Sequence, residues 1–190
     1  MLYTSNKKII LASNSPRRKE LLASLEIDFE VKTQDVDESY SETMRIDEVA
    51  EHLALKKANG ISLGENEILI SADTTVLFQG RILNKPINQE NAIQMLQKLS
   101  GNEHRVITGV CIKSNAKMES FSETTTVFFK ELSDAEIEYY VFNHNPLDKA
   151  GGYGIQDWIG QIGIRKIEGC YYNVVGLPTN KLYHKLIGFI

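Results

Sequence analysis

Cysteine is scarce in this chain of 190 residues: only Cys111 and Cys170 are present, widely spaced and in no metal-ligand pattern. A disulfide framework or a structural zinc site is excluded, and both are expected to be unpaired thiols of a reducing compartment. Long hydrophobic runs are also lacking. The longest apolar stretch is far short of a membrane span, and no charged-then-apolar leader precedes the first expected strand. A cytoplasmic protein is therefore expected. There is no surplus of positive charge either; the formal net charge is −4. That balance opposes a broad nucleic-acid surface, so any polyanion site must be local. The phosphate-binding fingerprints G-x-G-x-x-G and G-x-x-x-x-G-K-[ST] are absent, as are H-E-x-x-H and a glycine-flanked serine elbow. Dinucleotide binding, P-loop chemistry, zincin chemistry and a serine hydrolase lose their usual signatures. The four histidines (His52, His104, His144, His184) form no ligand spacing.

What is present is ordinary globular composition, 42% hydrophobic and 24% charged, in a chain long enough for one sizeable core or two small lobes. The most informative stretch is Leu11-Ala12-Ser13-Asn14-Ser15-Pro16-Arg17-Arg18-Lys19. Ile9, Ile10 and Leu11 read as a short strand over residues 7–12. Ser15 then offers an N-cap and Pro16 the first position of a helix over 16–25. A helix N-terminus is electropositive and prefers acidic side chains, so three cations in its first turn point to a bound anion, phosphate above all.

Strand-like and helix-like segments alternate along the rest of the chain. Residues 29–32 alternate like a strand, and 46–59 carry helical spacing through Val49, Ala50, Leu53, Ala54 and Ala58. Ile68, Ile70 and their neighbour Leu69 form a compact strand expected to end at Ser71-Ala72-Asp73. Residues 75–78 and 81–83 form a hairpin across Gln79-Gly80. Asn88 caps a helix to Ser100, and Ser133-Asp134-Ala135-Glu136 is a capping box. Strands follow at 106–112 and 123–129, a loop at 143–154, short strands in the glycine-punctuated tail and a last helix over 179–187. Interleaving of this kind predicts an α/β or α+β fold with a mixed sheet.

Several residues carry candidate chemistry. Asp73, expected at a strand terminus beside Thr74 and Thr75, suits a metal ligand or general base. Lys85 is held in an extended backbone by Pro86. Asp37 and Glu38 offer oxygens to a divalent cation. Asp148-Lys149-Ala150-Gly151-Gly152-Tyr153-Gly154-Ile155-Gln156 is dense in glycine and admits close approach of a ligand. Trp158, Tyr171 and Tyr172 read as core rather than as stacking platforms. Cations, a carboxylate and glycine turns are together the parts needed to handle a triphosphate.

Ser13-Asn14-Ser15-Pro16-Arg17-Arg18, Ala72-Asp73-Thr74-Thr75-Val76, Lys85-Pro86 and the 148–156 block resemble, in this order, the Maf family of nucleoside triphosphate pyrophosphatases. The resemblance continues through Leu99-Ser100-Gly101 and Ile107-Thr108-Gly109-Val110 to Val175-Gly176-Leu177-Pro178, so it spans essentially the whole chain as one domain, 1–190. Asn14 and Thr75 stand at variable positions, and Gly152 replaces a residue that is often Ala.

The resemblance implies an elongated mixed β-sheet flanked by helices, in two lobes with a central nucleotide cleft, like that of the inosine-triphosphate pyrophosphatases. It implies hydrolysis of a nucleoside triphosphate to the monophosphate and pyrophosphate, assisted by Mg²⁺ or Mn²⁺, with the 148–156 block resembling the branch acting on dTTP and UTP. Asp73 would be the proton acceptor and a metal ligand with Glu38. Ser13, Arg17 and Arg18 would cradle the phosphates, with Lys57 and Lys85 converging on them. Arg17, Thr74 and Gln156 match positions linked to substrate choice. Homodimerisation and a cytoplasmic location come with the same likeness. Its alternatives are clearance of modified nucleotides and nucleotide sensing in septum formation.

Overall fold

The computed structural model describes residues 6–190; the segment before them, where the sequence predicts no leader, lies outside the described residues. Among the described residues seven strands and seven α-helices interleave. The strands are β1 (Lys8–Leu11), β2 (Phe29–Val31), β3 (Glu67–Phe78), β4 (Arg81–Leu83), β5 (Glu103–Lys113), β6 (Met118–Phe129) and β7 (Ile164–Glu168). The helices are α1 (Pro16–Ala23), α2 (Val49–Asn59), α3 (Gln89–Leu99), α4 (Asp134–His144), α5 (Trp158–Gly163), α6 (Tyr171–Val175) and α7 (Thr179–Leu186). The strands form one seven-stranded mixed sheet in the order β2-β1-β3-β5-β6-β7, with β4 paired to β3. Among the described residues no helix is long and apolar enough to cross a membrane.

The chain divides into two compact units. The first comprises Met1–Asp73, Thr108–Glu123 and Gly176–Ile190; the second comprises Thr74–Ile107 and Thr124–Val175. In the first, β1 pairs in parallel with β2 (Ile9 opposite Phe29) and with β3 (Leu11 opposite Ile70). Ile9, Ile10, Leu11, Ile68, Leu69 and Ile70 are all buried, the near-continuous apolar run that a parallel strand covered on both faces requires. The predicted inner face of α2 is buried throughout and packs, through Ala54 and Ala58, on Ile10, Leu69 and Cys111.

In the second unit, β3 and β4 form the expected hairpin, with Gln79 and Gly80 both at positive φ (47° and 74°), as its two-residue turn requires. The Asn88 cap and the Ser133–Glu136 capping box are both formed. The core gathers Leu96 and Leu99 of α3, Ile137, Tyr140 and Val141 of α4, and Phe129, Tyr153, Ile155 and Ile159.

Several expectations are corrected. β3 does not end at Asp73: it runs on to Phe78, because residues 71–75 contain no glycine or proline and the β-branched Thr74, Thr75 and Val76 favour extension. Ser15 occupies the N-cap of α1 without using its hydroxyl; Ser13 Oγ instead accepts from the Ser15 N–H at 3.2 Å. The expected loop at 143–154 includes the end of α4 and two short 3-10 turns, and the glycine-punctuated tail supplies α5 and α6 as well as β7. Tyr171 and Tyr172 are exposed rather than core, whereas Trp158 packs against the core of the second unit.

Candidate active site

Six of the expected site residues fall in the first unit. Asp73 lies in the middle of β3, after a fully buried run from Ile68 to Ala72, so the strand delivers its carboxylate at a fixed point. Facing it is Lys57 of α2. Its Nζ donates to Asp73 Oδ1 at 2.5 Å and lies 2.9 Å from Glu38 Oε1 of the loop before the helix. Helix and strand are locked together one turn away, where buried Ser71 Oγ donates to the Ala54 carbonyl at 2.7 Å. The Lys57 and Asp73 side chains are mostly buried (19% and 13% exposed), whereas that of Glu38 is 59% exposed. Lys57 and Asp73 thus form an ion pair with limited access to water, where their attraction is weakly screened.

The basic turn of α1 is the second element. Arg18 Nε donates to the Gly176 carbonyl at 2.9 Å, and Nη1 reaches Ser13 Oγ at 3.4 Å. Burial lowers the Arg18 pKa; the Asp73 charge opposes that, Arg17 adds to it, and Glu38 opposes it. Arg17, Glu38 and Asp73 are therefore each within electrostatic reach of Arg18. A half-buried guanidinium beside a second one suits an anion. The Gly176 carbonyl, which aims that guanidinium, had no signal of its own beyond its place in the Val175-Gly176-Leu177-Pro178 block.

The other three expected residues fall in the second unit. Thr74 follows Asp73 on β3, so strand alternation turns it to the opposite face. Lys85 is exposed while Pro86 behind it is buried. The Gly151 N–H donates to the Asn84 carbonyl at 3.2 Å, which brings the segment carrying Lys85 beside the glycine-dense one carrying Gln156. Gly151 and Gly152 both adopt positive φ (72° and 75°) there. The Gln156 Oε1 atom is buried and has no hydrogen-bond partner among the described residues.

Around that segment stand buried polar side chains that have no role in the expected site. Tyr140 Oη donates to Asp157 Oδ2 at 2.7 Å, and burial together with Asp157 raises its pKa. His104 Nε2 is 2.6 Å from Tyr153 Oη. Their helical or strand spacing reads simply as core, and nothing local marks their polar tips as partners.

No group of three or more His, Cys, Asp or Glu side chains able to hold a metal occurs among the described residues. Asp73 and Glu38 nevertheless both reach one point, now the Lys57 ammonium. Two carboxylates suit Mg²⁺ when phosphate oxygens and water complete its shell.

The model of the family described as Maf-like protein matches residues 8–189. The chain belongs to the Maf family. Among its relatives, the dTTP/UTP pyrophosphatase of Phocaeicola vulgatus is 51% identical over 182 residues, covering 94% of each chain. That of Flavobacterium psychrophilum is 48% identical over 184 residues, covering 96% of this chain and 94% of the relative. The structure of the Staphylococcus aureus Ham1 protein, 18% identical, covers 97% of this chain and 100% of its own with a TM-score of 0.56, a likeness of fold alone. In Maf terms, the blocks around Ser13, Asp73, Lys85 and Gln156 lie within the matched span.

Proposed function

We propose that this chain hydrolyses a nucleoside triphosphate, with dTTP and UTP as substrates, to the monophosphate and pyrophosphate. The observation that carries the chemistry is the largely buried Asp73 carboxylate held by Lys57 at 2.5 Å, in the same unit as Arg17, Arg18 and Ser13. The substrate follows the names of relatives about half identical over nearly the whole chain.

Asp73 accepts the proton of the attacking water as oxygen bonds to the α-phosphorus, and the α–β phosphoanhydride bond breaks to release pyrophosphate. Ser13, Arg17, Arg18 and Lys57 bind the phosphate oxygens, and Lys85 joins them. Negative charge develops on those oxygens, so fixed cations lower the barrier most there. Asp73 and Glu38 would hold Mg²⁺ or Mn²⁺, which when bound supplies Lewis-acid neutralisation of the phosphate chain. Gln156, with Arg17 and Thr74, selects the base: a carboxamide can pair with both the donor and acceptor groups on the edge of uracil or thymine. A cytoplasmic location and homodimerisation belong to the same proposal.

Pyrophosphate release from dTTP, UTP, CTP and GTP with Mg²⁺ or Mn²⁺ tests it. The expected pattern is selective turnover of dTTP and UTP, lowered about 100- to 10,000-fold in Asp73→Asn with nucleotide binding retained, the range for loss of a general base. Turnover surviving that substitution would remove Asp73 from the role.

A further inference from the structure

The segment 151–157 is held from several sides by groups that the proposed chemistry does not use. Tyr140 of α4 is fully buried, and its hydroxyl bridges two points of the segment: it accepts from the Gly154 N–H at 3.2 Å and donates to Asp157 Oδ2 at 2.7 Å. Lys149 Nζ lies 3.8 Å from the same carboxylate. Tyr153, 5% exposed, is fixed through its own hydroxyl by His104 of β5 at 2.6 Å, with its ring edge against Phe129. A Cβ on Gly160 would stand 2.1 Å from the Ile155 carbonyl oxygen, so α5 closes tightly on the segment.

Gln156 sits between these anchors. Its flanking residues, Ile155 and Asp157, are both pinned, yet the anchors leave its own amide oxygen buried and without a partner among the described residues. Buried polar atoms are nearly always paired, so an orphan acceptor in a clamped segment is the mark of a donor that arrives from outside. Uracil and thymine carry such a donor at N3, whereas cytosine carries an acceptor there.

We propose that Tyr140, and with it the Tyr153–His104 pair, are positioning residues that fix the Gln156 carboxamide to accept the N3–H of a uracil or thymine base. The assignment rests on the proposed pyrophosphatase reading. A hydroxyl that merely stabilised the fold would lower stability and turnover of every nucleotide alike. A hydroxyl that aims Gln156 shifts the choice between bases.

A double-mutant cycle on the full-length protein separates the two, with kcat and KM for UTP and CTP measured beside Tm. Gln156→Ala is expected to cut the UTP-over-CTP preference about tenfold, and Tyr140→Phe to cut it comparably through KM for UTP. The double variant is expected to be no worse than Gln156→Ala, because an aimed group has nothing left to aim. Full preference retained in Tyr140→Phe, or losses that multiply in the double variant, overturns the positioning role while leaving the base reader in place. An unchanged preference in Gln156→Ala overturns the base reader and the positioning role together. Absence of any pyrophosphate release from wild-type protein overturns the reaction itself and this assignment with it. Should Tyr140→Phe not fold, Tyr153→Phe takes its place in the cycle, with the same expected and overturning results.

Discussion

His104 shows how a single buried side chain ties the second unit to pH. It is 3% exposed, and burial pushes its pKa down to about 4. The ring is therefore neutral in the folded protein and makes one hydrogen bond with Tyr153 in either tautomer. The unfolded chain binds a proton near pH 6.5, so between 6.5 and 4 it holds more protons than the native state. Stability is fully present above pH 6.5 and falls as pH drops towards 4. From pH 7 to pH 5 the loss is about 2 kcal/mol. Glu67, held down by the Gly64 N–H and by Lys32, exerts its effect below its ordinary value of 4.5 and leaves this window to the histidine. Urea unfolding at the two pH values checks it: wild-type protein should lose stability, and His104→Gln should lose far less. Equal pH dependence in both would show that His104 does not titrate on unfolding. At this scale the candidate site residues stood out because their types are unusual for their places, as with two arginines at the electropositive start of α1. Tyr140 and His104 were not, since an apolar pattern reports that a ring is buried and says nothing of what its hydroxyl or nitrogen meets.

Among the elements, the α2–β3 pair sets the geometry of the candidate site, because each carries one half of the Lys57–Asp73 contact. Gly109 of β5 makes their seating this close. A Cβ there would lie 2.3 Å from backbone atoms of Ala50 and Glu51, on the first turn of α2. Backbone cannot rotate aside as a side chain can, so Gly109→Ala must push the helix away. An expected loss of about 3 kcal/mol or more follows, at the severe end for overpacking, together with loss of turnover as Lys57 leaves Asp73. Chemical denaturation and pyrophosphate release measure the two effects; an unshifted midpoint would contradict the close approach. Elements with a periodic apolar face or a cap, such as α2, α3 and α4, were readable from the chain. The length of β3 was not. Its apolar signal stops at Ile70 and resumes at Val76, so the sequence reads as two strands; residues 71–75, between the pairing with β1 at 67–70 and the expected hairpin with β4 at 76–78, carry no periodic pattern that joins them. α5 was hidden for the opposite reason: Gly160 and Gly163 weaken helical propensity, yet a Cβ at either would crowd Ile155 or Phe129.

At the scale of the whole molecule, a net charge of −4 coexists with the local Arg17-Arg18-Lys19 cluster, so the proposed phosphate binding would come from local convergence rather than from a general field. The two units are stitched by the chain itself. β3, β5 and β6 each begin in one and end in the other, so neither unit owns a complete set of strands. Melting one unit would force β3, β5 and β6 each to break in mid-strand, exposing the backbone groups at the break. The units should therefore unfold together. Trp158 is the single tryptophan and packs against the core of the second unit, so its fluorescence reports that unit, while far-ultraviolet circular dichroism reports the helices of both. The two signals are expected to follow one curve in urea with a common midpoint, the signature of a two-state transition. A fluorescence transition separated from the dichroism curve would mean that the shared strands can break at the unit boundary. Lys57 and Asp73 of the first unit and Gln156 of the second would then be held by foldable pieces of independent stability, and substitutions such as Gly109→Ala would leave the environment of Trp158 untouched.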